Sequence, residues 1–396
     1  MIEMKNNKNI FAWVRVSRAF VLFSALFILY TSSFSQSNIS NNYHSYGSIP
    51  HLQIERSMVY VPGTSWMYSH HASITHFKNV FVAIWSNGLK DEDKPGQRVA
   101  IATSTDGMHW SQPGVLAQPS LYKPDTLNVL TAAGFHQFND TLVAYYGEYS
   151  PNRTNQHLWA KTSVDGIKWS NAIDMHIAVN PNHGPQKTNS GRLIISGNFT
   201  FPYTDDHRGL GGWKMTSFYP GSAYKEDNPE TFYAPAEKLG FPPLCEASFF
   251  ETDDKILHAL LRVTGDGWKG KLWLTESKDD GVHWSLPVET GFTDNDSKFH
   301  FGRLPGGEFY YVGTPDTLHH YSRNPLVLAT SKDGKAFNKQ YIIADEPYTM
   351  KKDGLWKGGE YGYPTTIICD GYMYVIISRK KEAVEVIRFA LQQLSK

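Results

Sequence analysis

The chain is punctuated at short intervals. Runs of apolar residues, many with every second position polar, alternate with clusters of Gly, Pro, Asn and Asp. Thr141–Tyr146, Arg192–Ser196, Ile256–Leu261, Glu308–Val312 and Tyr372–Ser378 are such runs. Their length, their β-branched and aromatic content and their flanking turn residues predict strands. Ile74, His76, Val80, Val82 and Ile84 continue an alternating pattern behind the pair His70-His71. Successive side chains of a strand face opposite sides, so His70 and His71 are expected to point apart, with one of them facing a cleft. No segment carries a convincing amphipathic helical period. Residues 384–394 read as a final strand or a short helix. The prediction is an all-β chain.

An internal repeat narrows the fold. Ser104-Thr-Asp106-Gly107-Met-His-Trp110 recurs as Ser163-Val-Asp165-Gly166-Ile-Lys-Trp169 and as Ser277-Lys-Asp279-Asp280-Gly281-Val-His-Trp284. A weaker copy is Ser331-Lys-Asp333-Gly334-Lys-Ala-Phe337. The leading aspartates are spaced 59, 114 and 54 residues apart, so the middle interval holds two units and one copy has decayed. A period of this size built from short strands indicates a propeller or an array. Asp-Gly makes a tight turn, because glycine supplies the positive φ. The aromatic residue is expected to fold under the hairpin and pack between sheets. These turns resemble the Asp-box repeats of the sialidase superfamily, which implies one such hairpin per blade. The length suggests six blades, and seven are favoured if one blade is short and degenerate.

Residues 1–36 read as a signal peptide. Lys5, Lys8, Arg15 and Arg18 precede an apolar stretch over 19–30, and small residues follow at Ser32, Ser33 and Ser35. That stretch is shorter than the roughly 20 residues a spanning helix needs. A secreted or periplasmic protein is therefore expected, with residues 37–396 as a single propeller domain. Only Cys245 and Cys369 carry thiols, which allows one disulfide or two free cysteines. Acidic and basic residues are equal in number, which argues against nucleic-acid binding and stable membrane association. Abundant Trp and Tyr suit both sugar stacking and packing between sheets. The expected partner is an acidic oligo- or polysaccharide, bound by a monomer. No organic cofactor is expected. A structural Ca²⁺ or Zn²⁺ stays open, with His183, His258 and Cys245 as zinc donors to consider.

Polar clusters at strand ends supply the candidate chemistry. The combination of Ser69-His70-His71-Ala72-Ser73-Ile74, Pro95-Gly96-Gln97-Arg98, Tyr145-Tyr146-Gly147, Asn182-His183-Gly184-Pro185-Gln186, Phe299-His300-Phe301-Gly302-Arg303 and Glu360-Tyr361-Gly362-Tyr363-Pro364 resembles the sialidase-like rhamnose–glucuronate lyases and ulvan lyases. The resemblance implies β-elimination at a rhamnosyl-(1→4)-glucuronate linkage. Abstraction of the C5 proton needs a base and cations that neutralise the uronate carboxylate. It assigns proton transfer to His70 or His71 and Tyr145, and charge neutralisation to Lys161, where the family has arginine. Asn87, Gln97, Arg98, His136, His183, Gln186, Arg262, Arg303 and Tyr361 are then the substrate-binding candidates. The family's second histidine, due near residues 87–90, is missing. A rival reading rests on the sialidases, which carry a Glu and an Arg sixteen residues later, as Glu246 and Arg262 stand here. Arg303 or Arg323 and Tyr361 would complete that hydrolase site, although the Arg motif expected in the first blade is lacking. An α-L-rhamnosidase on the same propeller is a further hydrolase alternative. A third reading is a glycan-binding propeller without activity.

Overall fold

The computed structural model describes residues 37–43, 46–218 and 240–395. The leader assigned to residues 1–36 lies outside them. The described residues fold into antiparallel sheet: six sheets of three or four strands and one two-stranded ribbon, Leu121–Lys123 with Thr126–Leu127. Blade 1 comprises Tyr68–Phe77, Val80–Gly88, Arg98–Ser104 and Gly114–Ala117. Blade 2 comprises Val129–Phe138, Thr141–Tyr149, His157–Ser163 and Ile173–Asp174. Blade 3 is shortest, with Gln186–Lys187, Leu193–Ile194 and Tyr203–Thr204. Blade 4 runs Leu244–Glu251, Leu257–Val263, Lys271–Ser277 and Val288–Thr293. Blade 5 runs His300–Arg303, Phe309–Gly313, Leu326–Ser331 and Lys339–Ala344.

Blade 6 closes the ring. Its first three strands, Tyr361–Cys369, Tyr372–Arg379 and Ala383–Ala390, come from the C-terminal part of the chain. Its outer strand, Glu55–Tyr60, comes from the N-terminal part and pairs with Ala383–Ala390. The inner strand of blade 1 packs against those of blades 2 and 6, and blade 5 bridges blades 4 and 6. Blade 3 is tied to blade 4 by Gln186, whose side chain exchanges hydrogen bonds with the backbone of Phe249. The result is a β-propeller. Among the described residues there are six such sheets, the number the period suggests, where seven is favoured on the assumption of a short, degenerate blade. The surplus length lies in the ribbon and in long loops. The alternating run over 74–84 is two strands, broken at Lys78, whose positive φ makes the hairpin turn. Residues 383–390 are strand, followed by a 3-10 turn at Leu391–Ser395.

Packing explains the apolar runs. A buried apolar cluster fills each junction between successive blades. Along Tyr372–Arg379, Met373, Val375 and Ile377 enter the cluster with blade 5, while Tyr374 and Ile376 enter the cluster with blade 1. A strand covered on both faces needs apolar residues on both, which removes the alternation.

The four Asp-box turns join the third and fourth strands of blades 1, 2, 4 and 5. At the first, Ser104 Oγ donates to Asp106 Oδ1 at 3.0 Å and accepts from Gly107 N at 2.9 Å. Asp106 Oδ1 accepts from Met108 N and His109 N at 2.9 and 2.8 Å. The same bonds recur around Asp165 and Asp333, and around Asp279, where one residue is inserted, Oδ1 accepts from His283 N at 2.9 Å. Each turn sends its aromatic residue toward the preceding blade, as with Trp284 against blade 3 and Phe337 against blade 4. Blade 6 has no such turn, because its third and fourth strands are not consecutive in sequence. Cys245 and Cys369 are both free thiols. No helix among the described residues is long and apolar enough to cross a membrane.

Two glycines with nearly the same backbone angle separate conformation from packing. Gly281, in an Asp-box, has φ +82, and a Cβ there would lie 2.5 Å from Ile194 Cδ1. Gly371, in the blade 6 hairpin, has φ +79 and nothing within 4 Å. Gly371→Ala should cost only the left-handed penalty, about 1–2 kcal/mol. Gly281→Ala should add an overpacking cost of about 1–3 kcal/mol. Denaturant unfolding of both variants checks this, and equal losses would contradict it.

Candidate functional site

At one end of the propeller a cavity of about 580 Å³ opens among the loops. Three of its lining residues stand at irregularities in the inner strands. In blades 1, 4 and 6 the inner strand carries one extra residue relative to its neighbour, between His70 and Ser73, Cys245 and Ala247, and Gly362 and Thr365. The residues at these bulges, His71, Glu246 and Tyr363, have left-handed φ of 53°, 43° and 55°, and all three line the cavity. A bulge re-aims a side chain, and left-handed geometry is rare for residues of this kind. The bulge also overturns the expectation for the histidine pair. With His71 left-handed, the two imidazoles lie side by side, ring centroids 4.6 Å apart, instead of on opposite faces.

Tyr363 occupies the centre of the site. Its hydroxyl accepts from Arg262 Nη1 at 2.5 Å, and the same nitrogen pairs with Glu246 Oε2. Arg262 also bonds Asp296 Oδ1 through Nε at 2.5 Å and Thr264 through Nη2 at 2.9 Å. The Arg323 guanidinium and the Lys298 ammonium each lie 5.3 Å from the Tyr363 ring centroid, and that of Arg262 lies 5.6 Å away. Burial pushes the Tyr363 phenol well above its ordinary value. Burial also brings Lys298 down to about 8. The Lys298 ammonium donates to Asn182 O at 2.6 Å. Arg323 is 3% exposed and donates Nη2 to Asp296 O at 2.8 Å, while its Nε and Nη1 have no hydrogen-bond partner.

The opposite wall belongs to blades 1 and 2. His71 lies edge-on to Tyr363 at 5.3 Å, and burial pushes its imidazole down to about 3. Glu92 accepts from Tyr68 Oη at 2.9 Å and from Lys381 Nζ at 2.5 Å. Burial alone would raise this carboxyl, but the Lys381 charge outweighs it and holds it at about 2. Asp93 is raised by burial and by the neighbouring Glu92 charge, and it accepts from Tyr149 Oη and Arg153. Donor atoms of His70, His71 and Glu92 all lie within 4.8 Å of one another. His183, His258 and Cys245 do not converge: His183 bonds Phe299 O, and His258 pairs with Glu276.

Of the residues singled out in the sequence, His71, Cys245, Glu246, Arg262 and Arg323 line this cavity, and His70 lies directly behind His71. The spacing of Glu246 and Arg262 did identify a contacting pair. The others lie elsewhere. Tyr145 is fully buried between blades 2 and 3 and donates to Gly209 O at 2.9 Å. Lys161 stands on the third strand of blade 2, facing Ala144 across the ladder. Asn87 and Arg98 bond each other, and Arg98 stacks on Trp66. Gln97 bonds Leu130 O, His136 bonds His207 O, and Gln186 clamps Phe249. Arg303 pairs with surface Asp253. Tyr361 donates to Glu346 O beneath Arg379. Two residues further on, Tyr363 takes the position that Tyr361 was expected to hold. Alternation assigns both tyrosines to one face, and only the bulge at Tyr363 separates them.

A family model described as BNR repeat-like domain matches residues 79–375. The chain belongs to the BNR repeat-like domain family. No curated protein matches it. Among solved structures, a sialidase is 18% identical with a TM-score of 0.57, over 89% of this chain and 35% of its own. This BNR repeat-like chain thus spans about a third of that sialidase. A mutant of Trypanosoma rangeli sialidase displaying trans-sialidase activity is 14% identical with a TM-score of 0.58, over 87% of this chain and 60% of its own. The GH93 α-L-arabinofuranosidase of Fusarium graminearum is 9% identical with a TM-score of 0.55, over 86% of this chain and 99% of its own. These likenesses concern the sialidase-like propeller fold.

Asp296 ties Arg262 and His320 to the floor of the site. Burial would raise its carboxyl, but Arg262 and the other cations lower it from 3.8 to about 2. A depressed carboxylate contributes stability above its unfolded value and loses it as pH falls through its folded value. Wild-type stability should therefore drop by about 2 kcal/mol between pH 3.8 and 2 on account of this group. Asp296→Asn should be less stable at neutral pH and should lack that component. Denaturation midpoints measured down this pH range check it, and parallel curves for the two proteins would refute it.

Proposed function

We propose that this chain is a glycan-active hydrolase. It binds the carboxylate of an acidic sugar on Arg323 and Arg262 and cleaves the adjoining glycosidic bond with Tyr363 as nucleophile. One observation carries the reading: Arg323 is buried in the cavity wall with Nε and Nη1 unpartnered. A buried guanidinium with unpartnered donors calls for an acceptor, and a carboxylate offers two oxygens to the guanidinium fork.

In this reading the Tyr363 oxygen attacks the anomeric carbon and the bond to the leaving oxygen breaks. Glu246, paired to the same guanidinium nitrogen as Tyr363, takes the phenolic proton. The phenol is a poor nucleophile while protonated, so an adjacent base is required. Three cations around the ring favour the phenolate as it forms. Asp93, across the cavity, protonates the leaving oxygen. Water then releases the sugar from Tyr363. Export of the protein, on the pattern of residues 1–36, belongs to the same reading.

Elimination at a rhamnosyl-glucuronate linkage is the second reading, favoured by His71, whose ring stands edge-on to Tyr363 at the same cavity. There His71 takes the C5 proton, Tyr363 protonates the leaving oxygen, and the arginines neutralise the uronate. It replaces Tyr145 and Lys161 with residues of the cavity.

Purified protein incubated with sialylated and rhamnosyl-glucuronate oligosaccharides separates the two. Hydrolysis is expected, with sugar release and no absorbance at 235 nm, the signature of an unsaturated uronate. Tyr363→Phe should lose at least about 10²–10⁴-fold in rate. Arg323→Ala should mainly raise KM, as loss of uniform binding does. A 2-fluoro acidic glycosyl fluoride should label Tyr363, read by peptide mass. Release with a 235 nm signal would establish elimination instead. Unchanged activity in Tyr363→Phe would reject the site.

A further inference from the structure

The wall opposite Arg262 holds a set of donors that the nucleophilic reading leaves idle. We propose that His70, His71 and Glu92 form a binding site for a divalent transition-metal ion, zinc first among them, open to the cavity. Their donor atoms already lie within 4.8 Å of one another. That convergence requires a specific backbone device. Adjacent residues of a regular strand diverge, and only the left-handed bulge at His71 brings both rings to one side.

The surroundings are those of a ligand set. His70 Nδ1 is 2.6 Å from Ser378 Oγ, and His71 Nδ1 is 3.1 Å from Ser86 Oγ. Ser86 is itself anchored by Ala132 N at 3.0 Å. Tyr68 Oη holds one oxygen of Glu92. Each donor side chain thus has an outer partner that sets its orientation, the arrangement that tunes metal ligands. The other ring nitrogen of His70, Nε2, is fully buried and has no partner. A buried nitrogen left without a partner is costly, and a metal ion is one way to satisfy it.

The identity of the ion follows from the donors. Two imidazoles and one carboxylate, with a further position facing the cavity, match a zinc site of the open type. Calcium and magnesium prefer oxygen donors. Lys381 is the competitor. Its ammonium lies 2.5 Å from Glu92 Oε2 and neutralises the carboxylate when no metal is bound. Metal entry has to displace it toward the cavity, which Lys381 also lines. The bound ion would put a further positive charge across from Arg323, facing the same anionic sugar. The site does not depend on the hydrolytic reading, since metal uptake and glycan cleavage are measured separately.

The test is zinc chloride titrated calorimetrically into the chelator-treated full chain, with metal content measured after dialysis. One zinc per chain is expected, with no comparable uptake of calcium. Ser86→Ala, which removes an outer partner, should weaken binding about 10-fold. His71→Ala and Glu92→Gln should weaken it more. Lys381→Met should tighten it, because the competing cation is gone. Thermal melts of each variant establish folding, and Glu92→Gln keeps the shape of the side chain should His71→Ala fail to fold. Absence of zinc uptake by the wild type overturns the proposal. So does uptake that persists unchanged in both His71→Ala and Glu92→Gln, which marks an adventitious ion.

Discussion

One extra residue in an inner strand is what brings His71, Glu246 and Tyr363 to the cavity of this propeller. A regular inner strand would send alternate side chains into the two neighbouring blade junctions, both of them apolar. The bulges at His71, Glu246 and Tyr363 break that alternation at the same end of three blades. Left-handed geometry at non-glycine residues costs about 1–3 kcal/mol each, so these conformations persist only because the blades around them are over-determined. The apolar clusters at every junction supply that determination. So does the sixth blade, which joins strands from the two ends of the folded chain.

The charges around these bulges come mainly from loops and turns. Burying four cations, Arg262, Lys298, Arg323 and Lys381, at the end of a low-dielectric ring is costly unless acids accompany them. Glu92, Glu246 and Asp296 do so. The compensation is uneven. Arg262 is held by two carboxylates, while Arg323 has only the Asp296 carbonyl and leaves two nitrogens without partners. That imbalance, more than the number of charges, distinguishes this cavity from a structural ion-pair network. Arg379, with Glu360 and Glu385, is an example of the latter.

The sequence by itself determined the fold class and the place of four blade turns. The Ser-x-Asp-Gly turns carry their own hydrogen bonds, the carboxylate and hydroxyl capping amides two or three residues away. Local chemistry of that kind is visible without a fold, and so is the aromatic residue that each turn delivers to the preceding blade. The Glu246–Arg262 pair was also legible, because hairpin pairing across one turn relates sequence spacing directly to contact. Tertiary structure alone decided the rest. A bulge leaves no clear mark in a pattern of alternation, so neither the convergence of His70 and His71 nor the exchange of Tyr361 for Tyr363 could be read in advance. Tyr145 and Lys161 had suitable chemistry in suitable motifs, yet Tyr145 faces a blade junction and Lys161 lies on a strand away from the cavity. The pairing of Glu92 on blade 1's side with Lys381 on blade 6's side joins residues far apart in the chain. Ring closure brings these two together, and no local rule of spacing encodes it.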